Sequence, residues 1–238
     1  MRAKTHVLRD HTVTSWLDLC RLVELADRKR WLFRGESRCG RELRPTVGRI
    51  SDAPGAARKV AFDPAHELAV LRLFQRQARP YLTHTPDNDT EWLAISQHHG
   101  LPTRLLDWSE SLFVAAYFAV THAGTKGPAV IYVNRDIPEM SSQQEREPFA
   151  IRKVLLYRPP HISPRIPAQS SVFTVHPNPS LDLTWERVAR WTIDATACGG
   201  IKRALDGCGI NESTLSPGLD GLARHLGWLY KWGSYERA

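Results

Sequence analysis

The chain predicts an α+β fold with a mixed, largely antiparallel sheet and flanking helices. Two observations carry this reading. The first half is written mostly at helical spacing. The second half holds four runs rich in β-branched and aromatic residues, "PAVIYVN", "RKVLLYR", "SSVFTVH" and "RVARWTIDA", separated by Pro, Gly, Asn and Ser clusters. A length of 238 residues with 42% hydrophobic content allows a sizeable core and fits one domain over residues 1–238.

The elements follow in order. Residues 14–28 read as a helix capped by Thr14 or Ser15, with Trp16, Leu19, Leu22, Val23 and Leu25 near one face. "WLFRGES" reads as a buried strand closed by a tight turn at Gly35, which sets Arg34 at the strand's end. Pro45 and Gly48 make "LRPTVGRI" an irregular or edge segment. In "DPAHELAVLRLFQRQARPYL", Asp63 is the N-cap, Pro64 the first helical residue, and Leu68, Leu71, Leu73 and Phe74 the core stripe.

"TEWLAISQHHG" is a shorter helix stopped by Gly100. "SESLFVAAYFAVTHAG", capped by Ser109 or Ser111 and ending near Gly124, is apolar nearly all round and is expected to be the central buried helix. "GGIKRALDGCG" and "SPGLDGLARHLGWLY" form a last helical region.

Several function classes are excluded. No apolar run reaches the roughly 18 residues of a membrane span, and the N-terminus lacks a secretory core, so no membrane partner and a cytoplasmic location are expected. Cys20, Cys39, Cys198 and Cys208 contain no CxxC pair, and His98 and His99 lack HxxxH or HExxH spacing, so neither a disulfide framework nor a metal is expected. There is no GxSxG elbow, GxxxxGK[ST] loop or GxGxxG turn. The net charge of +7 favours an anionic partner, or, being dispersed, is a solvated surface.

Three constellations hold candidate chemistry. Arg34 beside Gly35 offers a fork of donors where backbone can approach a ligand; the structural alternative is an Arg paired with Glu67 or another acid. His98 and His99 point different ways from a helix end. Either can hydrogen-bond a sugar hydroxyl or shuttle a proton, or simply cap the helix. In "PTRLLDWSES", Asp107, Ser109 and Ser111 gather at the start of the buried helix, where free amides attract anions; alternatively Asp107 ties the turn by pairing with Arg104.

Taken together, "WLFRGES", "LRPTVGR", "HELAVLRLF", "WLAISQHHGLPTRLLDWSESLFVAAYFA", "RIPAQSSVFTVHPNP" and "GINESTLSPGLDGLARHL" resemble the FRG domain, a family named for a Phe-Arg-Gly motif, here Phe33, Arg34 and Gly35. The resemblance runs from about residue 30 to about residue 227, with the 14–28 helix packed on that core. The pattern is also similar to that of the ADP-ribosyltransferases. Arg34 matches their first-strand Arg, Ser109 and Ser111 their serine motif, and Gln169 the first place of their Q/ExE triplet. This likeness implies a split sheet and a cleft between the Arg34 strand and the 109–120 helix.

It further implies NAD as substrate, with Arg34 on the phosphates, Ser109 and Ser111 on the nicotinamide ribose, and Gly35, His98, His99, Thr103 and Arg104 around the cofactor. Ser171 stands where the catalytic Glu belongs. Asp107 or Glu67 is then the surrogate acid, and catalysis would rest on Arg34, Asp107 and Gln169. The implied function is an ADP-ribosyltransferase or NAD glycohydrolase, as a toxin or defence effector with an acceptor or antitoxin protein. The alternatives are a non-catalytic nucleotide- or nucleic-acid-binding module and, third, a nuclease-type toxin.

Overall fold

The computed structural model describes residues 8–26, 31–40, 42–52, 62–121, 127–183 and 188–232. Among them, seven strands form one sheet: β1 (His11–Val13), β2 (Trp31–Glu36), β3 (Leu105–Ser109), β4 (Ala129–Arg135), β5 (Leu155–Tyr157), β6 (Ser171–Val175) and β7 (Val188–Ile193). The order across the sheet is β1-β7-β4-β2-β3-β6-β5. Only β1 and β7 pair in parallel; every other neighbouring pair is antiparallel. The fold is therefore α+β with a mixed, mostly antiparallel sheet, as the sequence predicts.

The helices are α1 (Trp16–Val23), α2 (Pro64–Ala78), α3 (Asp89–His98), α4 (Leu112–Thr121), α5 (Ser142–Arg146), α6 (Arg165–Ala168), α7 (Ala195–Gly207), α8 (Glu212–Leu215) and α9 (Leu219–Lys231). Ser15 caps α1 by accepting from the Asp18 amide, and Asp63 caps α2 by accepting from the Ala65 amide. α3 ends before Gly100, whose φ of +91° is the left-handed conformation a glycine C-cap supplies. α4 is buried almost all round. Gly124, its expected stop, lies outside the described residues.

Three expectations are corrected. α1 ends at Val23, and Leu25 beyond it is exposed. The segment with Pro45 and Gly48, expected to be irregular or an edge, is no strand and contains a 3-10 helix, Thr46–Asp52. The buried stripe of α2 is Glu67, Leu71 and Ala78, with Phe74 half-buried beside it, while Leu73 faces solvent. A carboxylate thus occupies a core position, which a hydrophobic count assigns to leucine.

Alternation along the strands sorts the core. Trp31 and Phe33 of β2 pack with α4, Ile131 and Trp191 in one cluster, while Leu105 and Phe173 pack with Leu71 and Leu93 of α2 and α3 in a second. Because Phe33 stands opposite Ser109, these clusters lie on the same side of the sheet. Leu32, Leu106, Trp108, Tyr132 and Val172 form a third cluster on the other side. There Trp108 Nε1 donates to Thr174 Oγ1 at 3.0 Å, and Thr174 Oγ1 lies 2.9 Å from Nε2 of the buried His176.

Burial, assisted by the Arg34 and Arg104 guanidiniums, lowers the His176 pKa from 6.5 to about 4. The ring is neutral in the fold and charges only on unfolding. Stability is unaffected above pH 6.5, where both states are neutral, and falls as pH drops toward 4 because the unfolded chain binds the proton first. The expected loss over that window is about 3 kcal/mol. Urea unfolding of wild type and His176→Gln across pH 4–7 measures it; parallel stability curves would contradict it.

Candidate functional site

The site arises where the sheet is weakest. β2 makes a full six-residue ladder with β4, but β2 and β3 share a single pair, Phe33 opposite Ser109. Beyond it the two strands diverge, so the sheet is continuous yet nearly split along this seam. A cleft of about 490 Å³ opens there. Arg34, Gly35, Asp107, Ser109, Gln169 and Ser171 all line it. These residues come from three separate segments, and the seam is what brings them together.

Each wall has a local cause. Arg34 donates from Nε and Nη2 to Glu36 Oε1 at 3.1 and 2.6 Å, and from Nη1 to the Asp107 carbonyl at 2.8 Å. Asp107 Oδ2 lies 3.5 Å away. The guanidinium therefore spans the gap that backbone pairing leaves between β2 and β3. Its fork is committed to the protein, so the expected use of Arg34 as a phosphate clamp is replaced by that of a staple across the seam. The acid it pairs with is Glu36 rather than Glu67.

Gly35 lies on the opposite side of β2 from Arg34. A Cβ there would stand 1.9 Å from the Ala115 carbonyl oxygen and 2.6 Å from the Ala119 amide nitrogen. The close approach that requires glycine is thus made by the α4 backbone, while Gly35 itself still lines the cleft.

"LLDWS" is not a turn at the head of the buried helix but the interior strand β3, flanked by β2 and β6. Asp107 is exposed between two buried pairs, Leu105–Leu106 and Trp108–Ser109. Its Oδ1 accepts from Gln97 Nε2 at 2.7 Å, and it makes no pair with Arg104. Ser109 is buried. Its hydroxyl donates to the Gln169 carbonyl at 2.7 Å and accepts from the Ser111 amide at 3.0 Å. Ser111 caps α4 at the Val114 amide and does not line the cleft.

Gln169 closes α6, and its Nε2 donates to the Leu215 carbonyl at 2.7 Å. Ser170 follows at φ +46°, and Ser171 opens β6 opposite Ser109. Ser171 therefore presents a neutral hydroxyl to the cleft.

Five expected residues lie elsewhere. Arg104 and Glu67 form a buried pair: the Arg104 amide and Nε reach Glu67 Oε1 at 3.0 and 3.2 Å, Nη2 reaches Oε2 at 2.7 Å, and the guanidinium sits 4.2 Å from the Phe149 ring centre. Thr103 Oγ1 donates to Gln97 Oε1 and accepts from the Leu105 amide. His99 caps the C-terminus of α3 and is exposed. His98 packs 5.9 Å from Phe173, outside the cleft lining, with a pKa lowered first by burial. Two separated imidazoles about one phosphate, as a nuclease needs, are not found among the cleft-lining residues.

Sequence reasoning missed Arg165, Glu212, Arg224 and Phe118, which also line the cleft. Arg165 donates from Nη1 to the His98 carbonyl at 3.2 Å, and no carboxylate among the described residues pairs with it. Burial would raise the Glu212 carboxyl, but hydrogen bonds from Tyr117 and Arg224 outweigh it and hold its pKa below the usual range. Phe118 presents an exposed ring on α4. No spacing in the sequence announces them, because α6, α8 and α9 reach the seam only through tertiary packing.

The fold and site define a class: an α+β protein with a polar cleft at the seam of one mixed sheet. Residues 29–127 match the family model of the FRG domain. No curated protein and no solved structure shows a match to the chain. No helix among the described residues is long and apolar enough to cross a membrane.

Proposed function

We propose that the seam cleft binds NAD or a related nucleotide, in the manner of an ADP-ribosyltransferase-like module. One observation supports this reading above the others. The three motif positions that the resemblance assigns to NAD, at Arg34, Ser109 and Gln169–Ser171, line one cleft of about 490 Å³, although far apart in sequence. That volume lies within the range of ligand sites. Arg165, without a carboxylate partner among the described residues, supplies the donors for phosphate, and Phe118 a face for a nicotinamide or adenine ring.

Thermal shift tests it. NAD should raise the melting temperature of wild type, and Arg165→Ala should weaken binding by about tenfold or more while leaving the unliganded melting temperature unchanged. Arg34→Ala should lower the unliganded melting temperature, since it removes the staple. No NAD-dependent shift in wild type at millimolar concentration overturns the reading.

Turnover requires a carboxylate facing C1' as the C1'–N bond breaks. Nicotinamide leaves with the electron pair, and water or a protein nucleophile adds to C1' and gives up its proton. Asp107, half-exposed in the cleft, supports an active site. Asp107→Asn should then cut nicotinamide release about 100-fold or more. Ser171 supports the second reading, a module that binds without turnover. In that case wild type releases no nicotinamide above a heat-killed control, and Ser171→Glu creates activity.

A further inference from the structure

We infer that a second site, separate from the seam cleft, binds a small aromatic carboxylate in the cavity between α4, α7, α8 and α9. This cavity encloses about 300 Å³ and is walled by Tyr117, Lys202 and Trp228, with the Glu212–Arg224 pair dividing it from the cleft. At about 30 Å³ per water-sized group, it holds a ligand of about ten non-hydrogen atoms.

The charges on its walls favour an anion. Asp206 is already held by Asn211 Nδ2 at 3.0 Å and faces His225 Nε2 at 3.5 Å. Glu212 accepts from Tyr117 Oη at 2.9 Å and from Arg224 Nε at 2.9 Å. Lys202 has no such partner. Its Nζ stands 4.8 Å from the Trp228 ring centre, and no carboxylate among the described residues lies within ion-pair distance of it. Half-buried, it has lost part of its water, and that desolvation lowers its pKa, with Glu212 and Asp206 opposing. Among the described residues, Lys202 thus offers the cavity a partly dehydrated ammonium with unspent donors.

Arg224 spends only Nε on Glu212, so its Nη groups remain for the same anion. The Trp228 face, lying 24° from the plane of His225 at 6.1 Å, and the Tyr117 ring give the apolar body its contact. A carboxylate attached to one aromatic ring matches both the size and the two kinds of wall.

Calorimetry with benzoate tests this. Wild type should bind one equivalent with a dissociation constant of about a millimolar. Lys202→Met should weaken it at least about tenfold, Lys202→Arg should stay within about threefold of wild type, and Arg165→Ala, in the seam cleft, should leave it unchanged. Unliganded melting temperatures check each fold, with Lys202→Gln replacing the methionine variant if that one melts early. The site is refuted by any of three results: no saturable heat up to about 50 mM benzoate, Lys202→Met binding as wild type does, or benzylamine competing equally. Loss of binding in Arg165→Ala would place the ligand in the seam cleft and also overturn it. The result does not depend on whether NAD binds.

Discussion

Glu67→Gln should lower folding stability by about 3–5 kcal/mol, because it strands a buried guanidinium without its counter-charge. Arg104 is 1% and Glu67 3% exposed at their side chains, so water cannot replace the lost partner. The pair does more than neutralise. One carboxylate takes the Arg104 amide, Nε and Nη2, binding the first turn of α2 to the segment that enters β3. Nη1 adds the Pro148 carbonyl at 3.4 Å. The double variant Glu67→Leu/Arg104→Leu removes both buried charges and should recover part of the loss, the remainder being about 1–3 kcal/mol for the backbone amide of position 104, which loses its acceptor. Denaturant unfolding measures both. A cost for Glu67→Gln below about 1 kcal/mol, that of a surface pair, would show that water reaches the site.

Gly35→Ala should cost about 3 kcal/mol or more, or abolish soluble expression. The added methyl meets backbone atoms of Ala115 and Ala119, and a helix backbone cannot rotate aside as a side chain can. α4 must lift from β2, opening the cluster of Phe33, Ala116 and Trp191 and displacing the Ala115 and Phe118 wall of the cleft. Gly200→Ala in α7 is the control. Nothing lies within 4 Å of its Cβ position, and alanine there should stabilise by about 0.5–1 kcal/mol. Equal melting temperatures for Gly35→Ala and wild type would refute the packing account.

Gly35 also shows how a short motif misleads. Phe-Arg-Gly reads as a ligand-binding signature, yet Phe33 fills the core, Arg34 crosses the seam and Gly35 admits a helix. Each residue is needed for a reason internal to the fold. The cleft that results is positioned by them but takes from Arg165 a guanidinium that no carboxylate among the described residues pairs.

The class of the fold, the four strands of the second half, the caps at Ser15 and Asp63, the glycine stop of α3 and the buried α4 are all legible in the sequence. Each depends on neighbours a few residues away: alternation, a capping oxygen, a missing Cβ. Arg34, Ser109, Gln169 and Ser171 were also named from the chain, by resemblance. What only the tertiary structure decided is pairing at long range. β3 was hidden because Pro102 and the charges of "PTRLLDWSES" suggest a turn, whereas a place between β2 and β6 makes a strand of it. Glu67 in a core stripe is explained only by Arg104, 37 positions on, whose charge no local pattern can bring to it. Arg165 and Glu212 enter the cleft for the same reason: their place is fixed by how helices pack at the seam, and local sequence carries no record of that contact.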